Sequence, residues 1–163
     1  MTLEALNASD RESFVAALGW IFEHSPWVAE RAWTSRPFAS VGELHSAMVE
    51  AVENATVAEQ LALLRAHPDL GTKARISGAS QSEQTGAGLD RLATAESDQL
   101  VSWNRQYRER FGFPFLFAVK GSTRQDILRA LASRLEHSDE EEFQEALRQV
   151  HRIARFRLDD AVS

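Results

Sequence analysis

Cysteine is absent from all 163 residues, and its absence excludes disulfides, thiolate-bound zinc and thiol nucleophiles. Proline occurs only 4 times, and no stretch is rich enough in Pro, Gly or Ser to act as a linker between domains. No apolar run approaches the ~20 residues a membrane span requires. The opening MTLEALNASD lacks the basic and apolar blocks of a secretory signal, and the terminal DDAVS is not a Ser-Lys-Leu peroxisomal address. Positive charge is scarce as well: 18 Lys and Arg against 24 Asp and Glu give a formal charge of −6. Without a Lys/Arg patch, a nucleic-acid backbone or an anionic membrane is not an expected partner. A cytoplasmic protein acting on a small molecule, or binding another protein, is expected.

What is present points to a folded, helical chain. Hydrophobic residues make up 44%, with 4 Trp and 9 Phe, enough for a substantial core in one domain covering 1–163. Helix-start pairs recur, in which a Ser or Thr caps a free N–H and a Glu or Gln three positions on caps back. Ser9/Glu12, Ser40/Glu43, Thr56/Glu59, Ser80/Glu83, Ser122/Gln125 and Ser138/Glu141 fit, and Ser25 before Pro26 adds another start. Apolar stripes at helical spacing run through Val57, Leu61 and Leu64, through Leu100, Trp103 and Tyr107, and through Phe143, Leu147, Val150 and Ala154. The expected class is all-α, with about seven or eight helices. Only FGFPFLFAV, residues 111–119, has strand-like density, and with no second such run to pair with it reads as an extended connector.

Among 5 histidines no pair has the i,i+4 spacing of a helical zinc site. His67, in LLRAHPDLGTK, stands where a helical pattern ends before Pro68. It reads either as a polar helix end favoured by the helix dipole or as an acid, base or donor aimed into a pocket by the proline. The weak-helix stretch 67–80 is long enough for a functional loop. In SQSEQTGAGLD, a capping box accounts for Ser80 and Glu83 but not for Gln84 or for Gly86 and Gly88 in the first turns of a helix. Such an N-terminus can receive an anion. Arg157 falls on the core-facing side of the last helix, unlike Arg148, Arg152 and Arg155, and so requires an acidic partner or a ligand. The backbone of 115–119 also needs partners, which a planar heterocycle with amide groups could supply. A divalent metal on His67, Asp69 and Glu83 is a further alternative.

These segments, taken in order, resemble the 2-oxo-4-hydroxy-4-carboxy-5-ureidoimidazoline (OHCU) decarboxylases of urate breakdown. The resemblance runs through FVAALGWIFEHSPWVAERAW, RPF, LLRAHPDLG, SQSEQTGAGLD, YRERFGFPFLFAVKG and IARFRLDD. It implies an all-helical homodimer that decarboxylates OHCU to (S)-allantoin without cofactor or metal. It further implies that His67 and Glu83 are catalytic, with Pro68, Ser80, Gln84, Phe115, Leu116, Phe117, Ala118, Val119 and Arg157 contacting substrate. The competing functions are a non-catalytic ureide-binding helical dimer and a metal-dependent hydrolase using His67, Asp69 and Glu83.

Overall fold

Side-chain caps start the helices close to where the sequence pattern puts them. The computed structural model describes residues 1–70, 83 and 94–163. Among these are eight α-helices and no β-strand, as the patterning requires. The helices are α1 (Leu3–Ala8), α2 (Arg11–Leu18), α3 (Trp27–Ala32), α4 (Val41–Glu53), α5 (Val57–Arg65), α6 (Thr94–Phe111), α7 (Arg124–Arg134) and α8 (Asp139–Ala161). Thr56 and Glu59 form a complete capping box. Ser40 accepts from the Glu43 N–H, and Ser138 and Glu141 bond reciprocally.

Two expected starts shift by one residue. Asp10, not Ser9, caps α2 by accepting from the Ser13 N–H at 2.8 Å, while the Ser9 hydroxyl closes α1 on the Leu6 carbonyl. Thr123 and Asp126, not Ser122 and Gln125, form the box of α7. In both, a carboxylate in the first turn or at the cap is favoured by the helix dipole over a neutral group. Pro26 stands just before α3 rather than inside it. The Ser80/Glu83 box involves Ser80, which lies outside the described residues.

The chain divides into two compact units, residues 1–66 with 151–163 and residues 67–150. In the first, α3 packs on α2 and α4, and Phe14, Leu18, Phe22, Val28, Leu44 and Met48 are at most 1% exposed. Gly19 ends α2 where a Cβ would stand 2.7 Å from the Val15 carbonyl oxygen, so the turn into residue 20 has no room for a side chain. On α5 the buried face is Gln60, Leu63 and Leu64; Val57, expected in that stripe, is 63% exposed in the first helical position.

In the second unit, α6 buries Leu100, Asn104 and Tyr107 along one face and packs against α7. It continues through Phe111, so the irregular segment starts at Gly112, whose φ of 79° turns the chain at little steric cost. Phe111, Phe113 and Phe115 then gather around Tyr107 with ring centroids 4.5, 5.9 and 5.5 Å from it. Helix α8 gives its residues up to Val150 to this unit and those from His151 to the first. Along it Leu147, Val150 and Ala154 are buried and Arg148 and Arg152 exposed, as the stripe requires, whereas Phe143 at its start and Arg155 are half-buried.

Candidate functional site

His67 follows the end of α5 and is 6% exposed, so its imidazole is part of the protein interior and not a solvated helix end. Pro68 cannot extend the helix because it has no N–H to donate. The next two residues are tied to α6: Asn104 Nδ2 donates to the Leu70 carbonyl at 2.9 Å, and Arg108 donates to Asp69 Oδ1 at 2.9 Å. Asn104 and Arg108 are one helical turn apart, so a single face of α6 holds the loop at both points. Asp69 is thereby engaged in an ion pair, and among the described residues no three His, Asp or Glu side chains gather as a metal site would require.

Glu83 lies in helical backbone and is half-buried. Ser80 and Gln84 lie outside the described residues. The expected contacts of Phe115, Leu116, Phe117, Ala118 and Val119 rest on backbone groups needing partners, and part of that need is met within the unit. The Arg134 guanidinium donates to the Leu116 carbonyl, the Ala118 N–H donates to Gln149 Oε1 at 2.9 Å, and the Val119 carbonyl accepts from the Ser122 N–H at 3.0 Å. The sequence reading of an unpaired segment is corrected to that extent: buried backbone polar groups are too costly to leave bare, and two helices supply side chains to them.

Arg134 belongs to a buried network. Its Nε and Nη2 grip Glu142, at 2.9 and 2.7 Å from Oε2, and Glu142 is 0% exposed. Tyr107 donates its hydroxyl to the same carboxylate, and His137 Nδ1 lies 2.9 Å from Oε1. Burial pushes the Tyr107 phenol well above its ordinary range; the Arg134 charge opposes this and the bond to Glu142 adds to it. The phenol therefore remains a proton donor in this network.

Arg157, in the first unit, is 4% exposed. It donates to Glu23 Oε2 at 2.8 Å and to the Ile21 carbonyl at 3.2 Å. Of the two requirements its position raised, an acidic partner is therefore present. Arg155 is half-buried and bonds Asp159 one turn on. The same unit contains a second polar cluster: His45 Nε2 is 2.8 Å from the His151 carbonyl, and His151 Nε2 is 3.0 Å from Glu53 Oε1.

Sequence reasoning missed Glu23, Asn104, Arg134, Glu142 and Gln149. The signal that singled out Arg157 was available for some of them. Glu142 and Gln149 share the inward face of α8 with Ala146 and Ile153, at helical spacing, and a polar group on such a face requires a partner.

Comparison with known proteins bears on the whole chain. The family model described as OHCU decarboxylase matches residues 7–159. The 2-oxo-4-hydroxy-4-carboxy-5-ureidoimidazoline decarboxylase of Haloferax volcanii is 51% identical over 163 residues, covering 100% of this chain and 97% of its own length. The uric acid degradation bifunctional protein of Bacillus subtilis is 48% identical over 162 residues, which is 99% of this chain and 33% of that protein. A crystal structure of an (S)-allantoin synthase is similar with TM-score 0.80 and 33% identity, over 99% of this chain and 54% of that one. A crystal structure of an OHCU decarboxylase in the presence of (S)-allantoin has TM-score 0.71 at 24% identity, over 93% of this chain and 97% of that one. The last similarity speaks for the fold.

Proposed function

Because the chain belongs to the OHCU decarboxylase family, we propose that it converts OHCU to (S)-allantoin with loss of CO2, using its own side chains and no cofactor. The substrate carries a carboxylate and a hydroxyl on one ring carbon, beside the carbon that bears the ureido group. The bond to the carboxylate breaks, CO2 leaves, and the electron pair is delocalised into the ring. The hydroxyl then becomes a carbonyl as the ureido-bearing carbon takes up a proton. One proton is consumed overall, and the face that receives it sets the configuration.

In this reading His67 is the proton-transfer group, since an imidazole exchanges protons near neutrality. Glu83 orients it or takes the hydroxyl proton. Pro68 fixes the direction of the imidazole, and Arg157 offers its planar fork to anionic or carbonyl oxygen. Ser80, Gln84 and the backbone of Phe115–Val119 receive the ureido and ring amides, which orients the ring for one-sided protonation. The observation that carries the reading is His67 itself: a nearly buried imidazole, 6% exposed, in a loop tied to one helix at two consecutive residues. A histidine that served only to end a helix would need neither tie.

We read residues 1–163 as one functional domain, which the family match over 7–159 supports, working as a cytoplasmic homodimer as the family resemblance implies. Among the described residues no helix is long and apolar enough to cross a membrane. Freshly generated OHCU supplied to the protein should give optically active allantoin faster than the spontaneous decay, which yields racemate. Racemic product at the spontaneous rate would overturn the reading.

A further inference from the structure

The rings of Phe115 and Phe117 lie 6.0 Å apart with planes only 13° from parallel. They are two positions apart, and side chains at that interval stack when the backbone is pleated as in a strand. In such a backbone the N–H and C=O of one residue point to one edge, and those of the next residue to the other. The Leu116 carbonyl and the Ala118 N–H belong to the same edge, and that edge is held by Arg134 and Gln149. The opposite edge carries the peptide groups of Phe115 and Phe117, while the Val119 carbonyl beyond them is taken by the Ser122 N–H.

We infer that Arg134 and Gln149 are positioning residues, which fasten the Leu116/Ala118 edge so that the opposite edge, centred on Phe117, meets the amide groups of the substrate. The inference rests on the proposed function, in which this segment receives the ureido and ring amides. It adds which edge does so and what holds the other.

Both holding groups are themselves fixed. Arg134 is 5% exposed and uses Nε and Nη2 on Glu142, which leaves Nη1 for the Leu116 carbonyl. Glu142 cannot turn away, because Tyr107 and His137 also bind it. A lysine could pair with Glu142 through one ammonium, but it lacks the planar fork that reaches carboxylate and carbonyl together. Gln149 is oriented by Glu145: its Nε2 donates to Glu145 Oε1 at 2.8 Å, so its oxygen must face the Ala118 N–H. The reversed amide would set oxygen against carboxylate and N–H against N–H.

The test compares wild type with Gln149→Met, Arg134→Lys and the double swap Glu145→Gln with Gln149→Glu, all supplied with fresh OHCU. Gln149→Met keeps the side-chain length and removes the acceptor. We expect its KM to rise about fivefold to tenfold, the loss of one hydrogen bond, with a lower enantiomeric excess in the allantoin formed. Arg134→Lys should change both in the same direction. The double swap keeps an oxygen acceptor for Ala118 and a donor for that oxygen's carboxylate, and it should recover KM and enantiomeric excess. If these variants only melt earlier, while their folded fraction keeps wild-type KM and product purity, the residues are structural and the inference is wrong. Should Arg134→Lys fail to fold, Gln149→Met and the double swap decide alone. An inactive wild type would overturn the proposed function and this inference with it; an active wild type with an unchanged Gln149→Met overturns this inference only.

Discussion

Arg157 donates to Glu23 across 2.8 Å, with side chains only 3% and 1% exposed. Taking one partner from a buried pair strands the other charge and costs about 3–5 kcal/mol, whereas replacing both by apolar groups is often close to neutral. Glu23→Leu alone should therefore lower the unfolding midpoint strongly, and Glu23→Leu with Arg157→Met should recover most of it. The proposed role in binding substrate adds a second expectation, that the double variant folds but turns over OHCU poorly. Melting curves and product optical activity on the same samples separate the two. Recovery of turnover together with stability would leave Arg157 a purely structural residue.

A pH dependence of stability is expected from the first unit. Burial is the main cause holding His45 and His151 below the ordinary value of 6.5, against the opposing His151 carbonyl and Glu53 respectively. Arg155 and Asp159 also face His45, and His45 and the Phe22 ring face His151. With folded pKa values below the unfolded one, the unfolded chain binds more protons in the interval between them. Stability is then fully present above about pH 6.5 and is lost as pH falls through the folded values. The unfolding midpoint should drop between about pH 7 and pH 5, before most carboxylates titrate. His151→Gln should flatten that slope; a variant curve parallel to wild type would assign the acid sensitivity elsewhere.

The two ties on the His67 loop should differ in weight. Asn104 is 2% exposed and bonds the Leu70 carbonyl, so Asn104→Leu leaves that carbonyl unpaired at a cost of about 1–3 kcal/mol. The Arg108–Asp69 pair is partly solvated, with side chains 46% and 27% exposed, and such pairs contribute about 0–1 kcal/mol. Asn104→Leu is therefore expected to lower turnover severalfold, with Arg108→Ala close to wild type. Steady-state rates with OHCU at matched folded protein check this, and the reverse order would show that Asp69, not Leu70, anchors the loop.

Helix periodicity made the class and most starts legible in the sequence, because apolar spacing and Ser/Thr caps are local signals. The errors were local too: Asp10 outcompeted Ser9 and Asp126 outcompeted Gln125 once charge at a helix N-terminus is weighed. Burial at Arg157 was legible from phase alone, but its partner was not. Glu23 is 134 positions away, and sequence spacing carries no information about which turn will meet a helix at that separation. The same holds for the second target of Arg134: besides the Glu142 carboxylate it donates to a main-chain oxygen at Leu116, which no side-chain motif could include. His67, Glu83 and the segment 115–119 are marked chiefly by resemblance; position before Pro68 alone leaves His67 open between a helix end and an acid or base facing a pocket.

His67 gives the most direct test of the site. Asparagine retains a hydrogen-bonding side chain of compact size but cannot exchange a proton near neutral pH. His67→Asn should thus keep the helical fold, read by far-ultraviolet circular dichroism, and stay within about 1–2 kcal/mol of wild-type stability, as surrogate bonding partly meets the buried groups. General acid–base catalysis is worth roughly a hundredfold to ten-thousandfold, so OHCU consumption should fall to the spontaneous background. The allantoin that then forms should be racemic, because no group delivers the proton to a chosen face. A His67→Asn protein that still released one enantiomer at the wild-type rate would move proton transfer to Glu83 or to a bound water. A slow but enantiomerically pure product would divide the two tasks, leaving His67 to accelerate the reaction and the segment 115–119, in its proposed role, to select the face.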